Sequence, residues 1–272
     1  MKKHFIVLYC CCLLFSLAVQ AQEVVVHVTS GYIDTLLKKY PVKRFSRWPD
    51  CYRWDNPYFQ SIADIRKHEA KVVHAIYTKA MARAADSLNY ARKLALADWR
   101  SLPGMPNEDK VYAKANVGRP AATKLHKGHF SAWELNAYSL DAVLLSDTYT
   151  FNAAFEMGVQ NTGTELGVEY LQRMLVSEIR GRHRPAGLPF YDQVEYWKGA
   201  WGSQGSFSDG QITSNYPKVY WNLLKYGDQL HAFWFPNDAS GAGQKNYPRF
   251  EIPYATLVQR LGWDPVTIFN QN

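Results

Sequence analysis

An α+β fold is what this chain predicts, and three observations predict it. Strand-like and helix-like segments are mixed without the regular alternation that builds a parallel βαβ sheet. No internal repeat, low-complexity tract or linker divides the sequence. After an N-terminal leader, about 250 residues remain, enough for one domain to fold around its own core.

The leader is read from residues 1–21. Met1-Lys2-Lys3-His4 is a short basic start, and the apolar run 5–19 is too short to span a bilayer. Val19-Gln20-Ala21 then suits a signal-peptidase site, so a single domain over 22–272 is expected in the periplasm or outside the cell. Cys10, Cys11 and Cys12 sit inside the apolar run without the small residues that precede a lipidated cysteine. Cys51 is the one cysteine of the mature part, which excludes an intramolecular disulfide, and its aromatic neighbours mark it as a packed residue. No later run is long enough to span a membrane. The formal charge is +7, of which Lys2 and Lys3 leave with the leader, so +5 remains. That balance favours a polyanionic partner without naming one.

The elements follow in order. Residues 23–30 are β-branched and predict a strand or extended arm, whereas 32–57 is broken by Pro41, Pro49 and Pro57. Val-Val-His-Ala-Ile-Tyr at 72–77 predicts a buried strand. The Ala/Leu/Arg/Lys-rich stretch 79–100 predicts helix, ended by Leu102-Pro103-Gly104-Met105-Pro106. A polar loop leads to Lys127-Gly128-His129. Partial alternation in 139–151 predicts a strand, and the apolar side formed by Leu166, Tyr170, Leu171, Met174 and Leu175 predicts a helix over 163–180. Residues 185–217, rich in Gly, Ser and aromatics, predict loops with short strands. Core strands are expected at 218–221 and 229–235, a small-residue loop at 238–244, and a short helix at 254–261.

Lys127-Gly128-His129 has no specificity of its own. Downstream, helical geometry places Asn161, Glu165 and Glu169 on one slowly drifting stripe, with Arg173 a turn beyond. An amide, two carboxylates and an arginine make a poor packing face and a plausible one for a hydrated metal and a phosphate. In this order the residues resemble the DNA/RNA non-specific endonucleases, the ββα-metal (His-Me finger) family that includes secreted sugar-non-specific nucleases and mitochondrial endonuclease G. Gly128-His129 matches the end of the family's Asp-Arg-Gly-His. Asn152, then Asn161 nine residues on, Glu169 eight further and Arg173 four beyond match its later spacings. Tyr216-Pro217-Lys218-Val219, the run from His231 to Asn237 and the segment 257–264 resemble its C-terminal strands and helix, so the likeness runs from Val72 to the end.

The resemblance implies a mixed central sheet flanked by helices and phosphodiester hydrolysis of DNA and RNA with little sequence preference, leaving 5′-phosphates. It implies His129 as general base, oriented by a backbone carbonyl or similar acceptor at its other ring nitrogen. It further implies Asn161 as the protein ligand of Mg²⁺ or another hard divalent cation such as Mn²⁺, with Glu169 on the metal waters and Asn152 fixing the cluster. Lys127 and Arg173 would neutralise phosphate oxygens, and binding through the backbone would weaken with salt. Four positions depart from the family pattern. Lys127 replaces its Arg and lacks the bidentate fork, His126 replaces its Asp, and Glu156 and Glu165 replace Gln and Trp.

Without the joint spacing these residues would read plainly: Asn161 as a helix cap, Glu169 and Arg173 as a solvated pair, Asn152 as a turn residue. His126 and His129 lack the further ligands of a zinc site. Trp197, Trp201 and Trp234 are expected in the core, and Arg180-Gly181-Arg182-His183-Arg184 as a solvated basic loop. The departures also define an alternative, a nucleic-acid-binding protein of the same fold with impaired catalysis. A third reading is a structural protein of the envelope.

Overall fold

The computed structural model describes residues 28–88, 99–158, 192–238, 240 and 244–270. Helix α1, Ser30–Lys39, starts where Thr29 Oγ1 accepts the Tyr32 N–H at 3.3 Å, and it buries Ile33, Leu36 and Leu37 at helical spacing. Together with β1 (Lys43–Arg44) and β2 (Cys51–Asp55), it gives regular structure to a stretch expected to be irregular. Strands β3 (Gln60–Asp64) and β4 (Glu69–Thr78) follow, and β4 contains the expected 72–77 strand. Helix α2, Lys79–Leu88, begins as expected, whereas residues 89–98 of that call lie outside the described residues.

Next come α3 (Asp109–Ala115), β5 (Leu125–His129), α4 (Trp133–Asn136), α5 (Leu140–Ser146) and β6 (Ala153–Met157). Here the strand expected at 139–151 is corrected to α5 followed by a turn. Residues 142–146 are all buried, so no solvent face exists to give alternation its meaning. Strand β7, Gln193–Trp201, runs nine residues through a region expected to hold loops and short strands. After β8 (Gly205–Ser208) and β9 (Thr213–Tyr216), the strands β10 (Val219–Tyr226) and β11 (Gln229–Pro236) extend the two expected core strands. The chain closes with β12 (Glu251–Ile252) and α6 (Tyr254–Leu261), which ends on Gly262 at φ +74°. The helix expected at 163–180 lies outside the described residues.

Eight strands form one sheet in the order β1-β2-β3-β4-β7-β10-β11-β12, and every described pairing in it is antiparallel. The expected mixed sheet is therefore an antiparallel one: neighbours follow one another in sequence, except that the chain leaves the sheet between β4 and β7 and, through β8 and β9, between β7 and β10. One face packs against α1, α4, α5 and the β5–β6 hairpin around Trp54, Phe59, Phe130, Phe151 and Tyr220. The opposite face packs Val72, Trp197, Trp221 and Leu223 against Leu257 of α6, Ile268 and Phe269. Cys51 is buried there, as expected. Gly199 sits at the crossing of β7 with its neighbours. A β-carbon there would lie 2.1 Å from the Lys71 carbonyl oxygen and 2.5 Å from the Trp221 ring, so only glycine fits. Among the described residues no helix is long and apolar enough to cross a membrane.

Candidate active site

His129 ends β5, which pairs with β6 so that Lys127 faces Phe155, Gly128 faces Ala154 and His129 faces Ala153. The hairpin lies close on the sheet. A β-carbon on Gly128 would sit 2.6 Å from the Tyr220 hydroxyl and 2.7 Å from Glu156 Cβ, which gives the motif's glycine its physical reason. The Tyr220 hydroxyl donates to the Ala154 carbonyl at 2.9 Å and ties the hairpin to β10. From β7 the buried Lys198 ammonium donates to the carbonyl oxygen of His129 itself, over the rings of Phe130 and Tyr220.

The imidazole of His129 is held by a side chain the sequence did not reveal. Its Nε2 stands 2.8 Å from Asp147 Oδ1, with the two side chains 16% and 10% exposed. A carboxylate can only accept, so Nε2 carries the hydrogen and Nδ1 is left to take a proton. The Trp99 ring covers the imidazole with centroids 4.4 Å apart.

Asp147 is presented by the turn between α5 and β6, and that turn is clamped from two sides. Arg100 N–H donates to the Asp147 carbonyl at 2.8 Å and the Tyr149 N–H returns to the Arg100 carbonyl at 2.9 Å. Fully buried Asn152 accepts from the Ser131 N–H at 2.6 Å and donates to the Ser131 and Ser146 carbonyls at 2.9 and 2.6 Å. Asn152 thus joins the strand end that carries His129 to the turn that carries Asp147. Thr150 in this turn has φ +54°, a costly conformation for a β-branched residue, and its hydroxyl donates to buried Glu108. Burial raises the Glu108 carboxyl above the ordinary range.

His129, Lys127, His126, Asp109, Trp99 and Tyr112 share one cleft of about 510 Å³. The Lys127 ammonium lies 3.0 Å from Asp109 Oδ1 and over the Tyr149 ring at 4.9 Å. Partial burial pushes the Asp109 carboxyl up, but hydrogen bonds from Tyr149 and Lys127 outweigh it and hold the group below its ordinary value. His126 is exposed at the rim, and Glu156 opposite it in the pairing is buried.

The structure therefore brings His129, Lys127 and Asn152 together. Asn161, Glu169 and Arg173, along with Glu165, lie outside the described residues. Among the described residues no group of three His, Cys, Asp or Glu side chains is placed to hold a metal ion. Of the tryptophans expected in the core, Trp197 is 1% exposed and Trp234 is half-buried, whereas Trp201, at the end of β7, is 42% exposed and lies outside the core. Asp147 and Lys198 were missed because neither stands at a motif spacing; the one signal was a lysine among the aromatics of β7.

No protein-family model and no curated protein matches the chain. Among solved structures it is similar to a chain of the EndoG/EndoGI complex, a structure concerned with the mechanism of EndoG inhibition. The TM-score is 0.58 at 13% identity, over 86% of this chain and 91% of that one. At that identity the likeness is one of fold, and it covers the α+β architecture with its large antiparallel sheet.

Proposed function

We propose that this chain is an exported, metal-dependent endonuclease that hydrolyses phosphodiester bonds of DNA and RNA, with His129 as general base. The observation that carries this reading is the His129–Asp147 contact at the end of the β5–β6 hairpin, in a cleft that also holds Lys127. Asp147 fixes the tautomer, so Nδ1 accepts the proton of the attacking water. Lys127 lies in the same cleft and balances charge on the phosphate as it moves from Asp109. Asn152 keeps base and carboxylate in register. The fold shared with a chain of the EndoG/EndoGI complex supports the class of reaction. Asn161 would hold Mg²⁺ or Mn²⁺, which would supply further charge neutralisation at the phosphate, and Arg173 and Glu169 complete the expected set.

Purified chain incubated with plasmid DNA and with RNA should degrade both in Mg²⁺. EDTA should stop the reaction, and His129→Ala should abolish it while the melting temperature stays near that of the parent. Cleavage that survives His129→Ala would remove the mechanism. Binding without turnover in several divalent metals would instead establish the nucleic-acid-binding alternative, which the Lys127–Asp109 pair favours because the cation already has a carboxylate partner.

A further inference from the structure

A second cleft, of about 530 Å³, opens on the face of the sheet opposite His129. Side chains alternate along β7: Tyr196 reaches Ser131 and Lys198 reaches His129 on one side, while Trp197 joins the α6 core on the other. Trp201 shares the parity of Trp197, and it lines this second cleft with Trp48, Trp263, Lys67, Lys71 and Glu69. The rings of Trp48 and Trp263 meet edge to face at 5.0 Å. Trp201 is propped against Trp234 at 5.4 Å, and Trp234 in turn carries the Arg260 guanidinium 5.0 Å from its centroid. A large ring held in place yet left 42% exposed is a stacking surface for another flat ring.

The polar groups are disposed to suit an anion beside that ring. A neighbouring cleft of about 460 Å³ shares Trp48 and Pro49 and adds Arg44 and Arg47. Among the described residues lining these two clefts, the cations are Lys67, Lys71, Arg44 and Arg47 and the carboxylates are Asp64 and Glu69, with Asp50 beside Cys51 paired to Arg66. Asp64 is engaged by the backbone N–H groups of Arg66 and Lys67, both at 3.1 Å. Glu69 is 2% exposed and is held by Asn215 Nδ2 at 2.6 Å from Oε2. A carboxyl anchored in this way presents an acceptor to ring N–H donors.

We propose that this groove is a second nucleotide-binding site, separate from the His129 cleft. A nucleobase stacks on Trp201 beside Trp48 and Trp263, its edge meets Glu69, and its phosphate is met by Lys67 and Lys71. The choice of a nucleotide over other phosphorylated rings rests on the nuclease reading. Two sources offer this chemistry, a released 5′-mononucleotide and one unit of a bound single strand.

The test is calorimetric titration of the His129→Ala chain in EDTA, so that nothing is cut. The probes are 5′-GMP, a short single-stranded DNA, inorganic phosphate and N-acetylglucosamine. Saturable binding of 5′-GMP is expected, and it should weaken about tenfold or more in Trp201→Ala and in Lys67→Gln/Lys71→Gln, with melting temperatures unchanged. Binding of the DNA alone, with the same sensitivity to these variants, assigns the site to a strand rather than to free nucleotide. Absence of binding by both nucleotide probes would overturn the proposal. So would affinity that ignores both variants, phosphate binding as tight as 5′-GMP, or tighter binding of the sugar. A parent chain that cuts nothing yet shows variant-sensitive binding removes the nuclease reading alone. Active cleavage without this binding removes the second site alone.

Discussion

The two clefts lie on opposite faces of one sheet and are built by different means. At His129 the groups that matter are fixed by converging hydrogen bonds. Lys198 takes the carbonyl of His129, Asp147 its imidazole, and Asn152 bonds both supporting segments, all on a hairpin pressed so close that Gly128 has no room for a β-carbon. The tryptophan cleft is shaped chiefly by ring packing, Trp201 at the end of β7 on Trp234 of β11 and Trp48 between β1 and β2 on Trp263 just after α6, with one buried carboxyl anchored by one amide. Moving a proton requires a lone pair aimed within a few tenths of an ångström, so polar groups over-determine its holder. Stacking a ring requires area and rigidity, which packed aromatics supply with few hydrogen bonds.

The two faces share β7, so the severest way to break the comparison is Gly199→Ala. With the new carbon 2.1 Å from a backbone oxygen, a loss of about 3 kcal/mol or more is expected, seen as a large fall in melting temperature. A near-parental melting temperature would show that the faces do not depend on this crossing. Asp147→Asn addresses the His129 side alone. It should lower kcat about 100-fold with KM nearly unchanged, because the amide no longer enforces the tautomer. A purely structural Asp147 would lower the melting temperature and leave kcat per folded molecule intact.

Glu69→Gln addresses the other face and carries a pH signature. Burial pushes the Glu69 carboxyl up to about 7, against 4.5 when exposed. The unfolded chain therefore releases this proton first, and stability declines as pH rises from the ordinary carboxylate range to about 7. Glutamine should match the parent at pH near 4 and exceed it by about 2–3 kcal/mol at pH near 8, measured by urea unfolding. Equal curves at the higher pH would mean that burial costs this carboxyl nothing. The smallest effect is expected for Lys127→Met. Nucleic-acid affinity should fall a few-fold and the slope of log affinity against log salt should become shallower by about 1. An unchanged slope would remove Lys127 from the phosphate contacts.

Residues 72–77, 229–235 and 254–261 were legible because local chemistry alone dictates them: a β-branched run for β4, an aromatic-rich apolar run for β11, and helical spacing closed by Gly262 for α6. Strand β7 was not, because Lys198 and Gly199 interrupt its apolar pattern. Both exceptions have tertiary causes, the first a carbonyl to be reached on the hairpin and the second a ring to be let past. The turn after α5 misled in the opposite direction. Thr148-Tyr149-Thr150-Phe151 has the composition of a strand, yet Arg100 and Asn152 bend it into the support that presents Asp147.

Leu125–His129 is a strand where a polar loop was expected. From its residues alone the chain determined an α+β class, the strands β4 and β11 and the helix α6. These are matters of periodicity and of side-chain size, and both are written locally. Only the tertiary structure decided that Asp147 holds the imidazole, that Lys198 holds the strand end, and that Trp201 faces outward while Trp197 is buried. Such partners come from segments whose separation along the chain has no preferred value. Packing sets their distances, and no sequence period records them.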